Sequence, residues 1–167
     1  MLRDAFGHHA WATTRLLSAC LPLTDDQLAT LVPGTFGTVI DTLRHLVGAD
    51  CSYLWVLTGG EVDRLDDEDT ADVARLLAVS EGCGPAWERL LSRDLDPDAY
   101  VVRHRDDGIS SGAPLGIRLA QVVHHGTDHR SQVCTALTVL GMEPPEIDVW
   151  SWADSQGRLW ERPTAQA

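Results

Sequence analysis

Lysine is absent from this sequence, so all 13 of its basic residues are arginines, against 25 aspartates and glutamates in 167 residues. The formal charge is -12, and so acidic a surface repels nucleic-acid phosphates and anionic lipid headgroups. The sequence also lacks a local basic patch that would reverse this repulsion. We therefore expect no nucleic-acid partner and no membrane partner, and we expect a small-molecule substrate instead.

Long apolar runs are also missing. No run reaches the roughly 20 residues that a membrane-spanning helix needs, and the N-terminus, MLRDAFGHHAW, lacks the unbroken apolar stretch of a signal peptide. The four cysteines, Cys20, Cys51, Cys83 and Cys134, are widely spaced and form no CxxC pair. These absences predict a cytoplasmic protein whose cysteines are reduced thiols in packed helices.

Apolar residues recur with helical spacing in four long stretches. They predict four helices. The first covers about 2–20, the second about 37–57, the third begins at a cap formed by Thr70, and the last covers about 115–140 and ends at Gly141. Thr24 and Gln27 form a capping box for a short turn between the first two. Residues 95–116 are strand-like or loop-like, and the tail is predicted to pack until about 160.

The composition, 44% apolar and 23% charged, is that of an ordinary globular domain. We predict one domain over residues 1–167, of which about 161–167 form a frayed tail. Four long amphipathic helices predict an all-α fold, a four-helix bundle. Because the connections after the second and third helices are long, the predicted bundle has crossover connections.

The last predicted helix carries three of the seven histidines, within the segment HHGTDHRSQ at residues 124–132. On a wheel of 3.6 residues per turn, His129 and His125 lie on one flank of the apolar stripe, one helical turn apart. His124 lies on the opposite, solvent-facing side. An HxxxH pair allows two imidazoles to meet one metal ion, but it is equally compatible with two half-buried, hydrogen-bonded histidines.

A third ligand has to come from another element, and His45 on the second helix is the candidate. It shares a helix face with small residues, namely Thr38, Thr42, Ala49 and Ser52. Such a face is as typical of a solvent-exposed surface as of a crevice wall, so periodicity leaves both interpretations open. His8, His9 and His104 receive no role from their positions.

Asp50 falls within the apolar stripe of the second helix, between Leu46 and Leu54. A buried carboxylate requires a partner such as an arginine or an imidazole N–H. The residue therefore either supports a metal ligand from behind or belongs to an ordinary buried ion pair.

At this point the sequence resembles a known family. The segments DTLRHLVGADCSYLW and HHGTDHRSQVCTALTVLG are similar to the DinB/YfiT-like superfamily of four-helix-bundle proteins, as are the opening HHAWATTRLL and the ending PPEIDVWSW. The resemblance implies that His45, His125 and His129 hold a divalent metal. It leaves Asp50, Arg130 and Gln132 as residues that support the ligands or contact substrate.

The resemblance departs from the family pattern at two positions: Ser131 stands where the family usually has glycine, and His124 where asparagine is common. Because both lie on the predicted outer face, we expect the departures to affect packing more than chemistry.

Three imidazoles without an acidic ligand suit zinc or nickel, and three protein ligands leave a coordination position open. Relatives that use a low-molecular-weight thiol, such as mycothiol or bacillithiol, catalyse S-transfer or maleylpyruvate isomerisation. The resemblance thus implies a metal-dependent enzyme that activates a thiol cosubstrate, and a homodimer. The open alternatives are a hydrolase that uses metal-bound water and a non-enzymatic, stress-related metal-binding protein. The nucleophile would be the bound thiol or water, and the sequence identifies no catalytic side chain.

Overall fold

A computed structural model describes residues 2–65, 70–104 and 107–160 of the chain. These residues are mainly helical, with one small two-stranded sheet. The elements in chain order are α1 (Leu2–Cys20), α2 (Asp25–Leu28), α3 (Val39–Thr58), α4 (Val73–Leu91), β1 (Tyr100–His104), β2 (Ser110–Pro114), α5 (Leu115–Val139) and α6 (Val149–Ser155).

The four long helices, α1, α3, α4 and α5, enclose the hydrophobic core. Their most extensive contacts join α1 to α4, α4 to α3, α3 to α5 and α5 to α1. Each helix turns its apolar face inward, as the 3.6-residue spacing predicts. The largest fully buried apolar side chains are Phe6, Leu16, Leu17, Leu43, Leu46, Leu54, Leu76, Trp87, Leu90 and Leu137.

Helix boundaries follow local capping chemistry. The predicted capping box of Thr24 and Gln27 begins α2, and a second box, formed by Thr38 with the Asp41 side chain, begins α3. Gly141, with φ of +75°, follows the end of α5 as predicted. The prediction that Thr70 caps the third long helix is wrong. Asp72 caps α4, because its carboxylate accepts the free backbone N–H of Arg75 directly at the first turn.

The strand-like region forms an antiparallel hairpin in which β1 pairs with β2. Gly108 has a φ of +80° in the connection, a conformation that favours glycine, and the Asp107 carboxylate accepts the backbone N–H of Ile109. Arg118 of α5 donates two hydrogen bonds, of 3.2 and 2.9 Å, to the Val101 carbonyl of β1. These bonds hold the hairpin against the beginning of α5.

The C-terminal segment packs on the helices through α6, which contacts α1. Trp152 is buried there so closely over Gly7 that a Cβ at position 7 would lie 2.9 Å from its ring. The tail predicted to fray, 161–167, lies outside the described residues. In the part of the chain that the structure describes, no helix combines the length and apolar character needed to cross a membrane.

All four cysteines are free thiols, as predicted. Cys20, Cys51 and Cys83 are buried, and Cys134 is half-buried. Burial raises the pKa of the Cys20 thiol to about 12 and also raises the pKa of Cys134, while a hydrogen bond with Cys51, together with burial, raises that of Cys83. Because the thiolate is the reactive form, the raised pKa values lower the reactivity of Cys20, Cys83 and Cys134.

Candidate metal site

Three histidine side chains meet between α3 and α5. One ring nitrogen from each of His45, His125 and His129 lies within 4.8 Å of the other two. The Nε2 atoms of His45 and His125 are 3.0 Å apart, and the ring centroids are separated by 4.4 to 4.9 Å. Two imidazoles on one tetrahedral zinc would hold their nitrogens about 3.3 Å apart, so this cluster could accept a cation with small movements.

The two helices contribute to this cluster in different ways. His125 and His129 are one turn apart on α5, and His129 is buried while His125 is half-buried, which matches the predicted inward flank. His45 comes from α3, where Ala49 and Ser52 line the same small cavity as its ring. The small-residue face of α3 is therefore a crevice wall, which decides between the two interpretations that periodicity left open.

The environment of the cluster favours neutral imidazoles. Burial, followed by the neighbouring rings His129 and His45, lowers the pKa of His125 to about 4. Burial, followed by His129, also lowers the pKa of His45. A metal ligand must be unprotonated, so the protein holds these two side chains in the form that binds a cation near neutral pH.

Gln132, one turn beyond His129, fixes the orientation of that ring. Its Oε1 accepts the backbone N–H of Phe36 at 2.9 Å, and its Nε2 donates to Asp128. The oxygen of Gln132 therefore also faces Nδ1 of His129, at 3.2 Å. Since an amide oxygen only accepts, the His129 proton resides on Nδ1 and Nε2 keeps its lone pair.

Phe36, in the loop before α3, covers one side of the cluster. Its ring stacks on His45 at a centroid distance of 4.0 Å and meets His129 edge-on at 5.5 Å. Phe36 is 56% exposed. Its ring thus lies at the rim of the cluster, between the imidazoles and bulk solvent. No local periodicity places a loop aromatic against a helix, so this contact could not be predicted from the sequence.

A buried polar network lies behind the cluster and joins α1, α3 and α5. Nε2 of His9 donates to both carboxylate oxygens of Asp50, at 2.9 and 3.0 Å. Arg130 donates to Nδ1 of His9 at 3.1 Å and also to the hydroxyls of Thr13 and Thr127. His9, Asp50, Arg130 and Thr13 are each at most 5% exposed. Of the two kinds of partner predicted for Asp50, an arginine or an imidazole N–H, the structure shows the imidazole, that of His9.

Gly126 allows this network to form. A Cβ at position 126 would lie 2.3 Å from Cε1 of His9 and 2.9 Å from NH1 of Arg130. No side chain fits in that space, so the absence of one on α5 lets the imidazole of α1 pass close to the α5 backbone. On the helical wheel, Gly126 lies within the apolar stripe of α5, and this position alone does not indicate its role in the network.

The remaining histidines lie elsewhere. His124 is exposed, as the wheel predicted. Nε2 of His8 lies 2.8 Å from the carbonyl of Ile147, and Nδ1 of His104 lies 2.8 Å from the hydroxyl of Ser110 in the hairpin. The structure thus brings together the three predicted ligands and places Gln132 on one of them. It places Asp50 and Arg130 in the network behind, so their roles towards metal or substrate stay predictions.

The family model described as DinB family matches residues 1–164, which is nearly the whole chain. No curated protein matches the sequence significantly.

Gly126→Ala should destabilise the protein, because the added methyl group collides with His9 and Arg130. We expect the free energy of unfolding in urea to fall by about 1–3 kcal/mol. Gly82→Ala, in the interior of α4, is the matched control, since nothing lies within 4 Å of a Cβ there. That control should be stabilised by up to about 1 kcal/mol, and equal effects of both changes would contradict the account of Gly126.

The stability of the metal-free protein should fall with acidification. The unfolded chain binds protons on His45 and His125 near an ordinary pKa of about 6.5, whereas their folded pKa values are lower. The stability that the neutral His45 and His125 contribute is therefore fully present above about pH 6.5 and is lost as the pH falls towards 4. For His125 we expect a loss of at most about 1 kcal/mol between about pH 7 and about pH 5.5, less because the ring is only half-buried.

Urea unfolding at both pH values, compared between wild type and His125→Gln, measures this loss. The variant should lose less stability than wild type on acidification. His124→Gln makes the same change outside the cluster and should lose as much as wild type. A His125 variant that follows the wild-type pH profile would show that the cluster does not oppose protonation.

Proposed function

This chain belongs to the DinB family, and we propose that it is a metal-dependent enzyme that activates a low-molecular-weight thiol for S-transfer or isomerisation. In this proposal His45, His125 and His129 hold a divalent transition metal. The observation that carries it is the three-histidine cluster itself, whose ring nitrogens lie within 4.8 Å of one another beside a cavity.

The donor set supports zinc or nickel over magnesium or calcium, because imidazole nitrogen is a borderline ligand and no carboxylate of the described residues belongs to this cluster. The close contact between the Nε2 atoms of His45 and His125 requires one proton between them. A cation would replace that proton, and Gln132 already directs the lone pair of His129 to its Nε2. The residues present therefore fit such an ion.

When bound, a divalent metal supplies a positive charge that favours the deprotonated, nucleophilic form of a thiol or water. The chain itself favours the neutral forms of His45 and His125, orients His129 through Gln132, and covers the cluster with Phe36. Three protein ligands leave a coordination position open, which is typical of catalytic rather than structural zinc sites.

The cavity beside the cluster supports a thiol over water as the nucleophile. It has a volume of about 260 Å³ and borders both His45 and His125. Among the described residues, no aspartate or glutamate lines it, so it offers no carboxylate as a general base for water. A thiol is acidic enough to need no such base once it is near a cation. A hydrolase remains the alternative that the experiment below tests.

The order of the helices supports a specific bundle topology. We infer a four-helix bundle of the DinB type with crossover connections, because the principal contacts follow the order α1, α4, α3, α5. In that order, α1 and α3 are not neighbours, nor are α4 and α5. The implied homodimer stays a prediction, which light scattering on the purified protein would check.

Removal of a proposed ligand should abolish metal binding. We expect wild-type protein to bind one Zn²⁺ or Ni²⁺ per chain, and His45→Ala and His129→Ala to bind it more than about 100-fold more weakly. Gln132→Ala should weaken binding by about 10–100-fold, because His129 loses the acceptor that fixes its ring. Elemental analysis and competition with a chromophoric chelator measure both effects.

His124→Ala is the matched control for these variants, since its side chain is exposed and on the other side of α5. It should bind metal as wild type does. Undiminished metal in both His45→Ala and His129→Ala would remove the proposed site.

Turnover should require a thiol. Metal-loaded protein mixed with a small thiol and a chromogenic electrophile should consume the electrophile, and it should stop when the thiol is left out. Hydrolysis of the electrophile without thiol would instead establish the hydrolase. No turnover, together with unfolding on chelation, would favour the non-enzymatic metal-binding protein.

A further inference from the structure

The cavity beside the histidine cluster combines several kinds of lining residue. His45 and His125 belong to the lining, and Gly48 and Ala49 of α3 leave space open by their small size. The volume of about 260 Å³ lies just below the roughly 300–1,000 Å³ typical of sites for drug-sized molecules. The cavity therefore suits a small organic molecule rather than a large cofactor.

Two arginines, Arg64 and Arg103, also line this cavity. The chain as a whole has 25 acidic and only 13 basic residues. Among the described residues that line the cavity, however, every charged side chain other than a histidine is an arginine. The charge that the described lining residues carry thus has the opposite sign to that of the chain as a whole.

The hairpin positions Arg103. Along β1 the residues alternate between exposed and half-buried, and Val101 and Arg103 are the half-buried ones, on the face turned towards the helices. Arg118 of α5 holds the carbonyl of Val101 by two hydrogen bonds. The backbone two residues before Arg103 is therefore fixed to α5, the helix that carries His125.

Arg64 lies in the segment after α3 and is held from both sides. Leu65, which follows it, is only 9% exposed and anchors the backbone in the core. The guanidinium of Arg64 lies 5.7 Å from the centroid of the Trp55 ring, within the range of a cation–π contact. This contact limits the freedom of a long side chain whose residue is otherwise exposed.

A pair of guanidiniums is suited to bind a carboxylate or a phosphate, because each presents N–H groups in a planar fork. Ser52 and Tyr53 add hydroxyl groups to the same lining, and the Tyr53 ring meets His125 edge-on at 6.1 Å. We propose that this cavity binds a small organic anion, whose carboxylate or phosphate group pairs with Arg64 and Arg103 while its other end lies against His45 and His125. This inference rests on the proposed function, since it names the substrate class of the same site.

The first experiment needs no metal. Metal-free protein is titrated by calorimetry at constant ionic strength with succinate, inorganic phosphate and neutral succinamide. We expect succinate or phosphate to bind at least about tenfold more tightly than succinamide, and Arg64→Gln and Arg103→Gln each to remove most of that preference. Whichever anion shows the larger preference identifies the carboxylate or the phosphate as the recognised group.

The second experiment tests whether the anion and the cluster share one ligand. Cobalt-loaded protein is titrated with 3-mercaptopropionate and with 3-mercapto-1-propanol, which differ in carrying a carboxylate or a hydroxyl, and the cobalt–thiolate absorption band is followed. The carboxylate-bearing thiol should bind about tenfold more tightly, and the advantage should disappear in Arg64→Gln and Arg103→Gln.

Arg89→Gln is the matched control in both experiments, because it removes the same charge from an exposed position on α4 that does not line the cavity. It should keep the wild-type preference. Equal binding of charged and neutral ligands to wild type in both experiments, or equal loss in Arg89→Gln, would overturn the inference. Failure to bind cobalt would sink the proposed function instead, and the metal-free titration would still decide whether the cavity recognises anions.

Discussion

The buried carboxylate of Asp50 is the constraint on which the arrangement of the helices depends. A lone carboxylate in the core would cost several kcal/mol, and removal of one partner from such a group is strongly destabilising. Its partner His9 comes from α1, and Arg130, which completes the network, comes from α5. Burial lowers the pKa of Arg130 to about 10, which leaves it cationic at neutral pH. The three groups are satisfied together only when α1, α3 and α5 lie in one register, and α3 and α5 carry the histidine cluster.

This arrangement separates two kinds of polar chemistry within one small core. On one side, His9 bridges the carboxylate of Asp50 and the guanidinium of Arg130 by hydrogen bonds. Among the described residues, these groups belong to no cluster that could hold a metal ion. On the other side, no carboxylate of the described residues joins the three-imidazole cluster, and burial lowers the pKa values of His45 and His125. A metal site made only of neutral donors leaves the charge of the ion uncompensated, so an anionic ligand gains most from binding there. The two arginines across the cavity would add to the same effect.

The sequence predicted those parts of the structure that depend on local periodicity and capping. The inward pair His125 and His129 follows from 3.6 residues per turn, and the end of α5 follows from Gly141. Asp50 was predicted to need a partner, because its place in an apolar stripe implies burial. The identity of that partner could not be predicted, since His9 is 41 residues away and only the packing of α1 brings it close. His45 was ambiguous for the same reason, because a loop and a hairpin decide whether its face meets solvent. Thr70 was predicted to cap the third long helix, but the N-cap of α4 is Asp72, two residues later.

The cysteines acquire a different meaning under the proposed function. A protein that brought a thiol and an electrophile together would itself be at risk of alkylation. None of the four cysteines lines the cavity, and burial suppresses the thiolate of Cys20 and Cys134, as burial and the bond to Cys51 do for Cys83. The chain also contains no lysine amine. Under the proposed function, the softest nucleophile beside the substrate would therefore be the cosubstrate thiol rather than a cysteine or lysine of the protein.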